Sequence, residues 1–309
     1  MGPTAVLLAA GRGTRLRPLT EGMPKPAVPI LDIPAALFPL KGLRDAGLRV
    51  IMNLGSDHAL VERDLADHLA GVEVVVEEPE PYGSAGTLRA LADRLRGPVV
   101  TRNADHLSDL RIEHLLHTHV AGEKRATLAV SPVTAGADIV LGPVGEPAFV
   151  DRRAEPERAG FVWIGAAVFE PDAIALIPDH RPLDLARGLV VPLFDRHEIG
   201  LHLHDGYQLD IGTRARYLRA NIDAAEGRIP MPHPAPGRVV EVDGGRAYLG
   251  PGTEVAPSSV RPGAILLAGA RVEPGAVIER AVVWPNEIVP AGMHVTDSIW
   301  FGGRAVPAS

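Results

Sequence analysis

The sequence predicts an α/β fold built on a mostly parallel sheet, followed by a short parallel β-helix. Three observations predict it. Over the first 225 residues, short runs rich in Val, Ile and Leu alternate with helical patterns. Past Ile229 this gives way to a stretch punctuated by Pro230, Pro232, Pro234 and Pro236. Beyond it, aliphatic residues recur with a six-residue period and one five-residue slip, at Leu249, Val255, Val260, Leu266, Val272 and Ile278.

Residues 4–9, 48–54, 72–77, 98–101 and 127–133 are the predicted strands, and 59–70 and 84–95 are predicted helices among them. Strands alternating with helices imply a sheet covered on both faces, with ligand sites outside the carboxyl ends of the strands. The prolines mark a linker, so the expected domains are 1–228 and 238–309. In the second, hexads such as 260–265 (VRPGAI) and 272–277 (VEPGAV) each send an aliphatic side chain into a continuous core. Residues 249–300 allow about three coils of 18 residues, a short solenoid whose ends need capping.

Composition narrows the functional classes. The chain has no cysteine, which excludes a disulfide framework, a thiolate metal site and a cysteine nucleophile. The apolar start at 5–10 is too short for a signal peptide and lacks its charged lead, and no run reaches membrane-spanning length. A soluble cytoplasmic protein is expected. The net charge of −7 argues against a nucleic-acid partner.

Functional information concentrates in residues 7–30, LLAAGRGTRLRPLTEGMPKPAVPI. An apolar strand runs into the turn Gly11-Arg12-Gly13-Thr14-Arg15, and Lys25 follows between Pro24 and Pro26. Glycines let the backbone approach an anion and turn N–H groups toward it. Arg15 offers a planar fork of donors, and Lys25 a compact charge on a stem whose base the prolines stiffen. Only three of the 31 basic residues are lysines (Lys25, Lys41 and Lys124), so a lysine kept here marks a site suited to an ammonium. Together these residues form a phosphate grip at a strand end.

The same stretch resembles the signature of the sugar-1-phosphate nucleotidyltransferases, GxGTRLxPLTxxxPKPxxP. It matches at Gly11, Gly13, Thr14, Arg15, Leu16, Pro18, Leu19, Thr20, Pro24, Lys25, Pro26 and Pro29. Residues 77–88 (EEPEPYGSAGTL) resemble the family's EExPLGTAGAL loop, 101–105 (TRNAD) its NGD strand end, and 206–213 (GYQLDIGT) its gyWxDIGT segment. Tyr217 with Ala220-Asn221 fits the YlxAN that follows. The motifs stand in the family's order and cover residues 1–225.

The resemblance implies a Rossmann-like, GT-A-like nucleotidyltransferase domain, with the left-handed β-helix that several branches of the family carry. It implies nucleotidyl transfer from an NTP to a sugar-1-phosphate, with release of pyrophosphate. The attacking phosphate oxygen is already ionised at neutral pH, so positioning and charge neutralisation carry the catalysis. By residue matching, Arg15, Lys25, Asp105 and Asp210 are catalytic, and Asp105 and Asp210 meet at one Mg²⁺. Leu8, Ala10, Gly11, Gly13, Thr14, Glu78 and Gly83 hold the nucleotide. Glu78 falls where the family places a base-reading side chain. An acceptor-only carboxylate suits the adjacent donors of guanine better than the single N3–H of uracil or thymine. GTP is therefore the favoured donor, and mannose-1-phosphate or a relative the acceptor. The expected partners are these two substrates, with no nucleic acid and no membrane, in a homo-oligomer.

The departures from the family pattern fall mainly on the sugar side. The family's second phosphate-holding lysine is missing from 149–156 (FVDRRAEP), where Arg152 or Arg153 is the substitute. The usual Asn of the sugar-contacting segment is Trp163, two residues before Gly165. Arg152 and Gly165 are the sugar-phosphate candidates. The middle residue of NGD is Ala104, and the aromatic of gyWxDIGT is Gln208. Two alternatives stand beside the main reading. One is thymidylyl or uridylyl transfer to glucose-1-phosphate. The other is a non-catalytic nucleotide-sugar-binding regulatory paralogue, motivated by the missing lysine and by Trp163. His114, His117 and His119 on a helix, and His202 and His204 on a strand, are read as solvated or sheet-edge residues rather than metal ligands. Trp284 and Trp300 are read as fillers or caps of the solenoid.

Overall fold

The computed structural model describes residues 2–55, 58–143 and 145–309. The chain divides into two compact units. The first holds the residues up to Gly11, Pro39–His106 and Leu110–Gln208, and the second Arg12–Phe38, Leu107–Asp109 and Leu209–Ser309.

The first unit is organised by a nine-stranded sheet. Its main path runs Pro147–Phe149, Ile139–Leu141, Gly160–Phe169, Val99–Asn103, Thr4–Leu8, Arg49–Leu54, Val72–Val76. Ala126–Val133 pairs with Gly160–Phe169 and with Ile199–Leu203. The four strands from Val99–Asn103 to Val72–Val76 are parallel, and Gly160–Phe169 runs antiparallel to Val99–Asn103 and Ala126–Val133. Runs without polar alternation are what a sheet buried on both faces requires. Val6, Ile51, Val99, Leu128 and Phe169 are accordingly fully buried against Leu88, Leu189 and Leu193.

All five predicted strands and both predicted helices form, with ends displaced by a residue or two. The exceptions are the helix C-termini, where the last turn tightens to 3-10 geometry: His58–Leu65 runs into Ala66–His68, and Ser84–Leu91 into Ala92–Arg94. The chain leaves Thr4–Leu8 for one side of the sheet and later returns on its other side at Val99–Asn103. That reversal is where α/β sheets open a crevice at the carboxyl ends of their strands.

The second unit joins the loop 12–38, the helix Arg214–Ala225 and the C-terminal strands. Three ladders of short strands advance by a common step. Ala264 pairs with Ala281, Arg271 with Ile288 and Val277 with His294, all in parallel and all 17 residues apart. The expected turn of 18 is therefore corrected to 17. The five-residue slip between Val255 and Val260 is not an isolated defect, because two hexads and one pentad make each turn.

Leu266, Val272, Ile278, Val283, Val289, Val295 and Trp300 fill this coil. The six-stranded face ends in antiparallel strands on both sides, Arg238–Val242 and Arg304–Pro307. A terminal antiparallel strand closes a face against further parallel pairing. Trp284 packs outside the filled core, 5.8 Å from the Tyr217 ring and 5.5 Å from that of Phe301. Among the described residues, no helix is long and apolar enough to cross a membrane.

Candidate active site

In the first unit, the end of strand Thr4–Leu8 is held by a buried polar network. The Ala104 N–H donates to the Leu8 carbonyl at 3.0 Å, and the Ala9 N–H to Asn53 Oδ1 at 2.8 Å. Asn53 Nδ2 donates to Glu77 Oε1 at 2.8 Å and to Thr87 Oγ1 at 3.1 Å. The Thr87 hydroxyl also reaches Glu77 Oε1, and the Tyr82 N–H donates to Glu77 Oε2 at 2.7 Å. Asn53, Glu77 and Thr87 are all buried, so these bonds act where water cannot replace them. The network fixes the backbone leading into Ala10 and Gly11, and ties it to the loop before the helix Ser84–Leu91.

Replacing Glu77 with Ala leaves the Tyr82 amide and one Asn53 donor without their acceptor. A loss of about 2–3 kcal/mol is expected, read by urea unfolding. Sequence reasoning missed this trio. Its one visible signal was the pair Glu77-Glu78 at a strand end, where alternation sends one side chain in and the next out. Glu78 is the outward one, with its side chain 63% exposed and one oxygen 3.9 Å from His58 Nδ1.

Gly83 has a packing reason to be glycine, since a Cβ there would strike the Leu183 backbone. The Leu183 carbonyl accepts the Ala85 N–H at 3.0 Å, and the Tyr82 carbonyl accepts the Leu183 N–H at 3.0 Å. Gly165 sits in the register shift between Trp163 and Ala167 with φ 65, a left-handed value that favours glycine. A Cβ there would lie 2.8 Å from Asn103 Nδ2, so Gly165 faces the strand end that carries Ala104 and Asp105. The Trp163 N–H donates to Asp138 Oδ1 at 3.0 Å and its indole N–H to the Ala166 carbonyl at 2.8 Å. Burial pushes the Asp138 carboxyl up, and the Trp163 N–H and the nearby Arg152 charge oppose that. The Arg152 charge is thus near enough to act on the Asp138 carboxyl. Arg153 donates its backbone N–H to Asp151.

In the second unit, Gly13 opens the turn Thr14–Leu16 at φ 61. A Cβ on Gly13 would come within 3.0 Å of both Lys25 Cβ and Thr20 Cγ2. The bare glycine lets the Lys25 stem lie against the turn, and Lys25 is 9% exposed. Thr20 Oγ1 donates to the Gly13 carbonyl at 2.9 Å and closes the loop. Arg15 and Asp210 converge on Gly212, because a Cβ there would lie 2.8 Å from an Arg15 Nη2 and 2.7 Å from Asp210 Oδ1. Asp210 Oδ1 accepts the Gly212 N–H at 2.6 Å and Oδ2 accepts Arg216 Nη1 at 2.8 Å. Arg216 was not among the sequence candidates. Its signal is the Thr213 cap of the helix Arg214–Ala225, which bonds the Arg216 N–H and turns that residue back toward the strand end.

His119, His202 and His204 find local partners, and the burial of His119 and His204 corrects their reading as solvated or sheet-edge residues. His119 is buried between Thr127 Oγ1 at 2.9 Å and Glu170 Oε1 at 3.1 Å. His202 Nδ1 lies 2.8 Å from Thr118 Oγ1, and its pKa is lowered by burial first and by His204 and His114 second. Burial also lowers Arg102 to about 10. Among the described residues, no three His, Cys, Asp or Glu gather as a metal cluster.

A parallel sheet that reverses at a glycine-rich strand end defines a nucleotide-binding α/β fold. A family model described as nucleotidyl transferase matches residues 4–142. Mannose-1-phosphate guanylyltransferase of Mycobacterium tuberculosis is 30% identical over 300 residues, covering 89% of this chain and 83% of that protein. The catalytic subunit beta of mannose-1-phosphate guanylyltransferase from Drosophila melanogaster is 28% identical over 228 residues, covering 70% of this chain and 61% of that protein. The crystal structure of HddC from Yersinia pseudotuberculosis shares the fold, with a TM-score of 0.58 at 18% identity, covering 71% of this chain and 98% of that one. The chain belongs to the sugar-1-phosphate nucleotidyltransferase family.

Nucleotidyltransferases of this family generally use a divalent metal. In the second unit, Asp210 offers carboxylate oxygens, the kind of donor a hard cation takes.

Proposed function

We propose that this nucleotidyltransferase transfers the GMP group of GTP to mannose-1-phosphate, yielding GDP-mannose and pyrophosphate. The observation that carries the reading is the seat of Lys25 against Gly13, together with the convergence of Arg15 and Asp210 on Gly212. Similarity to mannose-1-phosphate guanylyltransferases along most of the chain supports the choice of substrates.

An oxygen of the sugar phosphate attacks the α-phosphorus and a new P–O bond forms. The bond from that phosphorus to the β-phosphate oxygen breaks, and pyrophosphate leaves with the electron pair. Arg15 and Lys25 hold the triphosphate oxygens and take up the charge that grows on the leaving group. The backbone of Leu8, Ala10, Gly11, Gly13, Thr14 and Gly83 cradles the nucleotide, and Glu78 reads guanine. Arg152 and Gly165 face the sugar phosphate. Arg152 is preferred to Arg153 because its charge reaches Asp138 beside the Trp163 strand. Mg²⁺ on Asp105 and Asp210 would neutralise phosphoryl charge. In this reading residues 1–228 are the catalytic domain and 238–309 a left-handed β-helix, in a homo-oligomer.

GTP is expected to raise the melting temperature above the level reached with UTP, dTTP, CTP or ATP. At 100 times its Kd, a ligand adds about 2.7 kcal/mol. Pyrophosphate release should then require GTP and mannose-1-phosphate together. Failure of every NTP across a panel of sugar phosphates would sink the reaction, and nucleotide-sugar binding without turnover would establish the regulatory reading instead.

A further inference from the structure

The hairpin Pro29–Ile30 with Ile33–Pro34 lies just beyond Lys25, and its turn is Leu31-Asp32. Both turn residues are left-handed, with φ 48 and 63. Turns of this kind ordinarily use Asn-Gly or Asp-Gly, and a buried Leu there is disfavoured. The turn is held from outside by side chains far along the chain. Asp32 Oδ1 accepts the Ala268 N–H at 2.8 Å, and Oδ2 accepts the Tyr248 hydroxyl at 2.9 Å. The Tyr248 oxygen also accepts the Gly237 N–H at 2.9 Å. The Leu31 N–H donates to Asn221 Oδ1 at 3.1 Å, and the Tyr217 hydroxyl to the Pro29 carbonyl at 2.7 Å. Burial raises the Asp32 carboxyl pKa, so this grip is made against a desolvation penalty.

The hairpin and the Lys25 turn form one block. The Ala36 N–H donates to the Pro26 carbonyl and the Ala35 N–H to the Val28 carbonyl, each at 3.0 Å. The base of Lys25 is therefore carried by a hairpin that the C-terminal coil grips through Ala268 and Tyr248.

We infer that the coil sets the position of Lys25, with Asp32 and Tyr248 as positioning residues for nucleotidyl transfer. The inference rests on Lys25 gripping the triphosphate. It assigns the C-terminal repeats a catalytic consequence beyond bulk or assembly.

The test uses full-length Asp32→Gly, Asp32→Asn and Tyr248→Phe proteins. Glycine accepts the left-handed turn without strain and removes the clamp. Asparagine tolerates that conformation and keeps an acceptor for Ala268. Tyr248→Phe keeps the ring and removes the hydroxyl, so it serves where Asp32→Gly does not fold. A misplacement of roughly 1 Å lowers rates by up to about 100-fold. Asp32→Gly and Tyr248→Phe are expected to lower kcat about 10- to 100-fold with KM changed less than about threefold, while Asp32→Asn stays near wild type. Amide exchange should accelerate at residues 25–36 in the two clamp-breaking variants, and otherwise only at the amides that lose their acceptor, Ala268 in Asp32→Gly and Gly237 in Tyr248→Phe. Unchanged exchange at 25–36 would overturn the clamp, and faster exchange with wild-type kcat would overturn the positioning role. If the wild type turns over no substrate, the proposed reaction fails on its own, and the exchange comparison still decides the clamp.

Discussion

Lys25→Ala is expected to lower kcat/KM for nucleotidyl transfer about 10³-fold, or about 4 kcal/mol of transition-state stabilisation. The magnitude is that of removing one preorganised donor from a site where charge grows on a leaving group. Lys25→Arg should recover little of it. The Lys25 stem lies between its own prolines and Gly13, where a Cβ on the glycine would already touch it at 3.0 Å. A planar guanidinium on that stem cannot present the same compact charge. Pyrophosphate release under saturating and limiting GTP measures the effect, and thermal unfolding checks that the variants are folded. Near-wild-type activity in Lys25→Ala would remove this residue from the chemistry.

Asp210→Asn is expected to cost a similar 10³-fold or so in kcat/KM. The change is isosteric. Asparagine Oδ1 still accepts the Gly212 N–H, and the Thr213 cap of the following helix is untouched. The substitution does abolish the ion pair between Asp210 and Arg216, whose side chains are 31% and 49% exposed. An exposed pair of that kind contributes under about 1 kcal/mol. A large activity loss with a small stability loss would therefore report chemistry rather than unfolding. Asp105→Asn should behave alike, and the double variant should lose much less than the sum of the two, because residues acting on one group are not additive. Full additivity would separate the two carboxylates.

The packing of Lys25 on Gly13, and of Arg15 and Asp210 at Gly212, is legible in the sequence because its residue types are chemically conspicuous. Gly13, Lys25 between prolines, and Asp210 before Gly212 each narrow the backbone or the charge in a way few other residues can. The sheet is legible for a different reason, since a strand buried on both faces must be apolar throughout its length. The coil shows itself by period alone, yet its turn of 17 residues emerges only from the pairing register.

The polar scaffolding is not legible in this way. Glu77 and Glu78 are identical in sequence, and only strand alternation and burial place one in the network with Asn53 and Thr87 and the other in solvent. Asn53 meets Glu77 and Thr87 at separations of 24 and 34 residues, and Asp32 meets Tyr248 and Ala268 at 216 and 236. No local pattern announces such pairings. Arg216 is intermediate, since a helix cap places it but many exposed arginines stand near a carboxylate.

By itself, then, the sequence determined the layered α/β class, the repeat and the family. These are local properties of periodicity, turn chemistry and charge. The tertiary structure alone decided which polar groups are buried together, and that the coil holds the turn of the hairpin that follows Lys25. Burying a polar group demands a partner, and the identity of that partner depends on which distant segments pack side by side.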